Sequence, residues 1–157
     1  MEYGGKILYK GEKYPIEKAD DKTAFAGGIF YVKADSDCKP DIPSLVKLLR
    51  KFAARDLTRK TIETARIMGV VPVSIKITGA KTRWGSCSAN RGINYSWRLI
   101  MADERSIDYV IVHELAHITQ FNHSAGFWNI VKTYCPDYKS RRAFLKKMQA
   151  EIDSYNL

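Results

Sequence analysis

The chain is poor in the features on which secreted and membrane proteins depend. It contains only three cysteines, Cys38, Cys87 and Cys135, which are far apart and odd in number. This usage argues against a disulfide framework and against a thiolate zinc site, and it predicts a reducing compartment. No apolar run approaches the ~18 residues that a membrane-spanning helix needs. The N-terminus also lacks the basic and apolar segments of a signal peptide, so the sequence predicts a cytoplasmic protein with no membrane contact.

Histidine is equally scarce, and all three histidines lie in one short stretch. The stretch opens as His113-Glu114-Leu115-Ala116-His117, an H-E-x-x-H motif that follows an apolar, helix-like run. Residues four apart lie on one face of a helix, so the imidazoles of His113 and His117 can bind one metal ion. Glu114 points beside that axis, where it can hold a water molecule rather than the metal. The motif is the signature of a zinc-dependent hydrolase.

Spacing alone leaves two interpretations of the third metal ligand. A catalytic zinc ion takes three protein ligands and keeps one position for water. His123 is the candidate if the helix ends after His117, for which Asn122 offers a left-handed residue and Ser124 a cap for the next helix. The alternative makes His123 a surface or capping residue. A carboxylate would then have to replace it, and the candidates are Asp103, Asp108 and Asp137.

These residues predict hydrolysis with one zinc ion as the cofactor. Zinc lowers the pKa of water toward ~7 and polarises a scissile carbonyl. Glu114 takes the proton as general base and passes it to the leaving group. A second positive or hydrogen-bonding group should stabilise the developing oxyanion. The sequence leaves several candidates for that role: Arg83, Arg98, Tyr138, Arg141 and Arg142.

The segment from Thr82 to Ser88 is a second candidate site. Trp84 places a large flat surface beside Gly85, where the backbone can be approached closely. If the segment is an edge strand above the metal, an extended peptide can pair with its free backbone groups. The alternative is a hairpin whose Trp84 packs into the core and whose Cys87 is buried and inert. The candidate substrate-binding residues are therefore Arg83, Trp84, Gly85, Ser86, Arg98, Tyr138 and Arg141.

Hydrophobic patterning predicts an α+β fold with a short sheet, a metal-binding helix and C-terminal helices. Two β-hairpins account for residues 1–40, the first turning at Lys10–Lys13 and the second at Gly27-Gly28. We predict that residues 1–40 form an N-terminal extension to a catalytic domain of residues 41–157, the two making one compact unit.

The rest of the pattern places the elements of the catalytic domain. A polar linker over residues 35–43 should precede a long helix that ends at Gly69. A strand over 71–78 and a hairpin built from 82–88 and 92–100 should follow. We expect the metal-binding helix to start near Ser106, and we expect Ser124 and Pro136 to delimit the last two helices.

Several separated motifs together resemble the YgjP-like metallopeptidase-domain family. In chain order they are Thr82–Ser88, Trp97–Ile100, Ile107–Val110, His113–His117, Asn122–Ser124, Phe127-Trp128 and Pro136–Tyr138. The resemblance covers about residues 42–155, with the N-terminal hairpins as an extension. It implies a small zincin-like fold and one zinc ion held by His113, His117 and His123. It also implies that Glu114 is the catalytic acid and base.

The charge of the chain bears on its substrate and partners. The chain has 26 lysines and arginines against 17 acidic residues, a net charge of +9. This balance favours a peptide or another small anionic substrate, and it allows contact with nucleotides or nucleic acid through a basic surface. The plainer interpretation is a solvated basic surface.

Three functions are therefore compared. The leading hypothesis is a zinc metallopeptidase. The second is a zinc-dependent nucleotide phosphohydrolase of the nucleoside triphosphate pyrophosphatase type, for which converging arginines would bind the phosphates. The third is a basic nucleic-acid-associated protein with a structural zinc ion, which requires a fourth protein ligand.

Overall fold

A computed structural model describes residues 1–157 as four α-helices and two small sheets, which confirms the α+β prediction. The strands are β1 (Lys6–Tyr9), β2 (Glu12–Lys18), β3 (Ala24–Ala26), β4 (Ile29–Val32), β5 (Ser74–Thr78), β6 (Gly85–Cys87) and β7 (Gly92–Ser96). The helices are α1 (Ile42–Met68), α2 (Glu104–Ala116), α3 (Ala125–Tyr134) and α4 (Tyr138–Ser154), and a short 3₁₀ helix covers Trp97–Met101. None of the helices is long and apolar enough to cross a membrane.

Both sheets are mixed. The first has the strand order β1-β2-β4-β3, and only its central pair, β2 and β4, is parallel. The second has the order β5-β7-β6, with β5 parallel to β7 and β6 antiparallel to it. Strand β6 therefore lies at a sheet edge, as the edge-strand hypothesis for the Thr82–Ser88 segment required.

The N-terminal hairpins form where the turn residues predicted them. Strands β1 and β2 are joined through Lys10 and Gly11, and strands β3 and β4 through Gly27 and Gly28. Both glycines of the second turn have positive φ, a conformation that glycine adopts without the steric penalty of a Cβ atom. Gly69 likewise ends α1 in the left-handed conformation, as predicted.

Several boundaries differ from the sequence predictions, and strands β5 (Ser74–Thr78) and β6 (Gly85–Cys87) are shorter than the predicted 71–78 and 82–88. Helix α1 begins at Ile42, inside the predicted linker, because Pro43 fits the first helical turn, where no backbone donor is needed. The strand predicted over 92–100 ends at Ser96, whose hydroxyl accepts from the N–H of Arg98 and starts the 3₁₀ helix.

Helix α2 is capped by Asp103 rather than by Ser106. The Asp103 carboxylate accepts a hydrogen bond from the Ser106 N–H at 3.3 Å, so Ser106 lies three residues inside the capping interaction. The N-cap of α2 therefore lies three residues earlier than predicted.

One core holds the two sheets and the helices together. Its buried apolar residues come from the N-terminal hairpins, such as Ile7 and Phe30, and from the later elements, such as Leu49, Trp97 and Leu115. Each of these five side chains is at most 1% exposed. The first 40 residues thus share their apolar contacts with the elements that carry the H-E-x-x-H motif.

The turn between β1 and β2 binds the segment that leads into α2. The Lys10 N–H donates to the Ile100 carbonyl at 2.9 Å, and the Gly11 N–H donates to the Met101 carbonyl at 3.0 Å. Gly11 has φ +81°, and a Cβ atom there would lie 2.9 Å from the Cα atom of Asp103. Only glycine fits this position, because both its backbone conformation and the nearby Asp103 backbone exclude a side chain.

We therefore expect Gly11→Ala to lower the free energy of unfolding by more than about 1 kcal/mol, through positive-φ strain and the clash with Asp103. Gly27→Ala is the matched control, since Gly27 has φ +57° and a Cβ atom there meets nothing within 4 Å. Urea denaturation followed by circular dichroism should show the larger loss for Gly11→Ala. Equal losses would mean that the contact with Asp103 contributes nothing.

Candidate metal centre

Two of the three histidines lie on one face at the end of α2. The imidazole rings of His113 and His117 are 5.1 Å apart, as the four-residue spacing predicts. The helix ends at once, because His117 is its C-cap and the Gln120 N–H turns back to bond the Ala116 carbonyl at 3.0 Å. Asn122 is not in the left-handed conformation, so that part of the prediction is wrong. The helix ends before Asn122 is reached.

This early end returns His123 to the other two histidines. The Nε2 atoms of His123 and His113 are 3.3 Å apart, and one nitrogen from each of the three rings lies within 4.8 Å of the others. Ser124 caps α3 by accepting from the Phe127 N–H, as predicted. The chain reversal between α2 and α3 therefore builds a cluster of three imidazoles.

The three aspartates considered as alternative ligands are engaged elsewhere. Asp103 caps α2, and Asp108 forms an ion pair with Lys60 at 2.8 Å. Asp137 binds the guanidinium groups of Arg105 and Arg141. None of them belongs to the histidine cluster.

The donor set fits a zinc ion, and two of the rings are oriented by hydrogen bonds. The Nδ1 atom of His117 is 2.9 Å from the Gln120 carbonyl oxygen, which can only accept, so Nδ1 carries the proton. The Nδ1 atom of His113 is 3.4 Å from the Tyr109 hydroxyl. Both contacts are made by Nδ1 and involve neither Nε2 atom, which is the arrangement that metal-binding histidines use.

Aromatic side chains from α3 and α4 support the cluster. Phe127 stacks on His117 with ring centroids 4.4 Å apart and planes 22° apart. Trp128 lies nearly parallel to His123 at 5.9 Å and stacks on Tyr138 at 5.0 Å. The sequence contained Phe127 and Trp128 as a motif but gave no reason to place them beside the histidines. Their position at the start of α3, directly after His123, was the available signal.

Burial keeps His113 and His117 neutral and ready to donate electron pairs. Burial is the main cause that lowers the pKa of His113 to about 3, and the neighbouring His117, His123 and Arg142 lower it further. Burial also lowers the pKa of His117, against the opposing effect of its hydrogen bond to Gln120. A metal ion therefore does not have to displace protons from these rings near neutral pH.

Glu114 is the one carboxyl group beside the cluster. It is only 6% exposed, and burial raises its pKa to about 7, although the charge of Arg83 acts in the opposite direction. Its side chain lies against Gly85, where a Cβ atom would be 2.9 Å from the Glu114 Cγ and 3.1 Å from the Asn94 carbonyl oxygen. The close approach predicted at Gly85 is thus made by Glu114.

A cavity of about 930 Å³ opens beside this cluster, and it tests the predicted substrate-binding residues. Its wall contains His113 and Glu114 from α2, and it also contains four of the predicted residues: Arg83, Trp84, Gly85 and Tyr138. Trp84 packs against the core and lines the cavity as well, so both interpretations of that residue describe part of its environment.

Three of the predicted substrate-binding residues lie outside the cavity. Arg98 is 7% exposed and donates to the carbonyls of Gly79, Ala80 and Leu157. Arg141 is held by Asp137, with the Arg141 Nε atom 2.6 Å from the Asp137 carboxylate. The hydroxyl of Ser86 on β6 accepts a hydrogen bond from the side-chain amide of Asn94 on β7 at 3.3 Å. These contacts give the three residues structural partners.

Cys87 is the thiol nearest in sequence to this site, and its environment makes it unreactive. Burial raises its pKa, and the charge of Glu114 raises it further. A thiol in such surroundings stays protonated near neutral pH and is a poor nucleophile.

The chain resembles one protein family and two solved structures. The family model described as YgjP-like, metallopeptidase domain, matches residues 1–148. Among solved structures, the metallopeptidase zymogen of Pyrococcus abyssi abylysin is 22% identical with a TM-score of 0.53, over 59% of this chain and 95% of that chain. The metallopeptidase zymogen of Methanocaldococcus jannaschii jannalysin is 23% identical with a TM-score of 0.51, over 60% and 95%. At these identities the likeness concerns the fold. No curated protein sequence matches the chain.

The raised pKa of Glu114 predicts a stability cost in the metal-free protein. Above pH 4.5 the unfolded chain loses this proton more readily than the folded one, so the folded state loses stability between pH 4.5 and about 7. Glu114→Gln stays neutral, so the metal-free variant should gain stability over wild type, by about 2 kcal/mol more at pH 8 than at pH 5.

Urea denaturation of the chelated proteins at both pH values measures this difference. Glu63→Gln, which changes an exposed carboxylate on α1, is the control and should give no such pH-dependent gain. A gain for Glu114→Gln that is the same at both pH values would rule out the shifted titration.

Proposed function

The chain belongs to the YgjP-like metallopeptidase-domain family, and we propose that it hydrolyses peptides with zinc held by His113, His117 and His123 and with Glu114 as general base. The separated motifs identified in the sequence had indicated this family. The matched span, residues 1–148, includes the N-terminal hairpins.

The observation that carries the proposal is the convergence of three imidazoles beside one buried carboxyl group. No fourth histidine, cysteine or carboxylate joins the three. A structural zinc site fills all four positions with protein ligands, whereas a catalytic one keeps a position open. The three-residue set therefore favours catalysis over the structural-zinc hypothesis. When bound, zinc supplies a Lewis acid that acidifies water and polarises a carbonyl group.

Glu114 would move the proton in this reaction. A carboxyl group with a pKa of about 7 can accept a proton from water and return it to a leaving group at neutral pH. Gly85 leaves the space in which the Glu114 side chain lies. Arg83 lines the same cavity, and its positive charge favours the ionised form of Glu114, which is the form that accepts a proton.

Strand β6 offers a place for an extended peptide. Trp84 accepts a hydrogen bond from the Ser96 N–H at 2.8 Å, and the Ser88 N–H donates to Gly92 at 2.9 Å. Because bonded and non-bonded residues alternate in an antiparallel pair, the backbone groups of Gly85 and Cys87 face away from β7. A substrate strand could pair with those groups at the edge of the sheet, directly beside Glu114.

A second candidate function is the hydrolysis of nucleoside triphosphates. The specific observation in its favour is Arg83, which lines the cavity with His113 and Glu114 and has no carboxylate within 4 Å. A free guanidinium group beside a Lewis-acid site suits phosphate binding.

Loss of the general base should abolish turnover and leave metal binding intact. We expect Glu114→Gln to keep one zinc ion per chain by elemental analysis and to lose at least ~100-fold in hydrolysis of a peptide pool followed by mass spectrometry. Glu63→Gln is the control for the same chemical change at the surface. Unchanged turnover in Glu114→Gln would remove the general-base role.

The ligand set predicts a graded loss of zinc affinity. His123→Ala removes a ligand and should weaken zinc binding sharply, whereas Trp128→Leu removes only the stacked support of His123 and should cost about tenfold. Competition with a chromogenic chelator measures both values. Tyr134→Leu, an exposed aromatic on the same helix, is the control. Undiminished zinc affinity in His123→Ala would transfer the third-ligand role to another residue.

A further inference from the structure

A stripe of polar and cationic side chains on α4 faces the cavity. Lys139, Arg142, Lys146 and Gln149 all line it, and their spacing of three, four and three residues places them on one helix face. The adjacent face of α4 carries the buried residues Leu145, Met148 and Ile152. Packing of the apolar face sets the orientation of α4 about its axis. In that orientation the cationic stripe lines the cavity that also contains His113 and Glu114.

These cations have no acidic partners in the protein. None of Lys139, Arg142 and Lys146 forms an ion pair within 4.0 Å, and neither does Arg83, which lines the same cavity. Elsewhere on α4 and in the N-terminal hairpins the pattern differs, since Arg141 pairs with Asp137 and Lys13 pairs with Glu151. Glu114 is the one acidic residue in the cavity wall.

The stripe lies within reach of the metal centre. The guanidinium group of Arg142 sits 5.7 Å from the ring centroid of Trp128, which is itself stacked near His123. The cationic side chains of the stripe are exposed to solvent and lack an ionic partner, so their positive charge is available to attract an anion that enters the cavity.

We propose that Arg142, Lys146 and Lys139 of α4, together with Arg83 in the same cavity, bind an anionic group of the substrate and so determine substrate specificity. The group is a carboxylate or a phosphate oxyanion, because guanidinium and ammonium groups bind both. This proposal rests on the proposed hydrolytic function for its effect on turnover. Anion binding itself can be measured without metal and without hydrolysis.

The binding experiment uses intact, zinc-free protein that has been dialysed free of chelator. Inorganic tripolyphosphate and a triglutamate peptide are the two probes, and calorimetry measures their affinities. The double variant Arg142→Glu, Lys146→Glu should bind the preferred probe roughly 100-fold more weakly, since each lost charge-assisted contact is worth about tenfold. The probe that binds more tightly identifies the source of the anion.

The matched control is Lys132→Glu, Lys147→Glu. It makes the same change in net charge at exposed positions on α3 and α4 that do not line the cavity. Circular dichroism checks that both double variants fold. We expect the control to keep the affinity of wild type within about threefold, because exposed charges at a distance are screened by salt.

A second experiment measures hydrolysis and separates the anion-site proposal from the proposed hydrolytic function. Zinc-loaded wild type should cleave glutamate-containing peptides, or nucleoside triphosphates, at least ~10-fold more efficiently than matched neutral substrates. The double variant Arg142→Glu, Lys146→Glu, called the cavity variant, should lose this preference because its KM for the anionic substrate is higher. Arg142-dependent binding without any hydrolysis would support the anion site and contradict the hydrolytic function. Equal probe affinity in wild type and the cavity variant would overturn the anion site, even if neutral peptides are cleaved.

Discussion

The early end of helix α2 is the constraint on which the site depends. Two histidines four residues apart on a helix can present two nitrogen atoms to one point, but a third must come from a chain that has turned back. The turn that follows His117 achieves this in a few residues, and the same turn brings the Gln120 carbonyl to the Nδ1 atom of His117. One local reversal thus positions the third histidine and orients the second.

The site is stabilised by its surroundings more than by its own interactions. Burial disfavours the charged forms of His113 and Glu114, which lie side by side in the sequence and have pKa values shifted in opposite directions. Both groups are therefore neutral over part of the pH range in which free side chains would be charged. Aromatic contacts from α3 and α4 and the shared apolar core hold the groups in this unfavourable environment.

Local signals made much of the fold and the centre predictable. The H-E-x-x-H motif, the turn glycines and the helix-ending Gly69 each act within a few residues, and the structure follows them. The errors arose where two local options competed, as with Asp103 and Ser106 for one cap. Arg98 and Arg141 were misplaced because a sequence does not show which arginines are bound by backbone carbonyls or a nearby aspartate. Of the cationic face of α4, only Arg142 had been named from the sequence, because the direction of that face depends on how the apolar face packs.

The turn between β1 and β2 has a practical consequence. Its backbone bonds to Ile100 and Met101 anchor the segment that enters α2, although the turn itself is remote in sequence from every histidine. A truncated fragment that begins after the hairpins would keep the whole H-E-x-x-H motif while losing this anchor and part of the apolar core. Efforts to trim the protein to a minimal catalytic unit should therefore retain the N-terminal strands, because inactivity of a shorter fragment would say nothing about its chemistry.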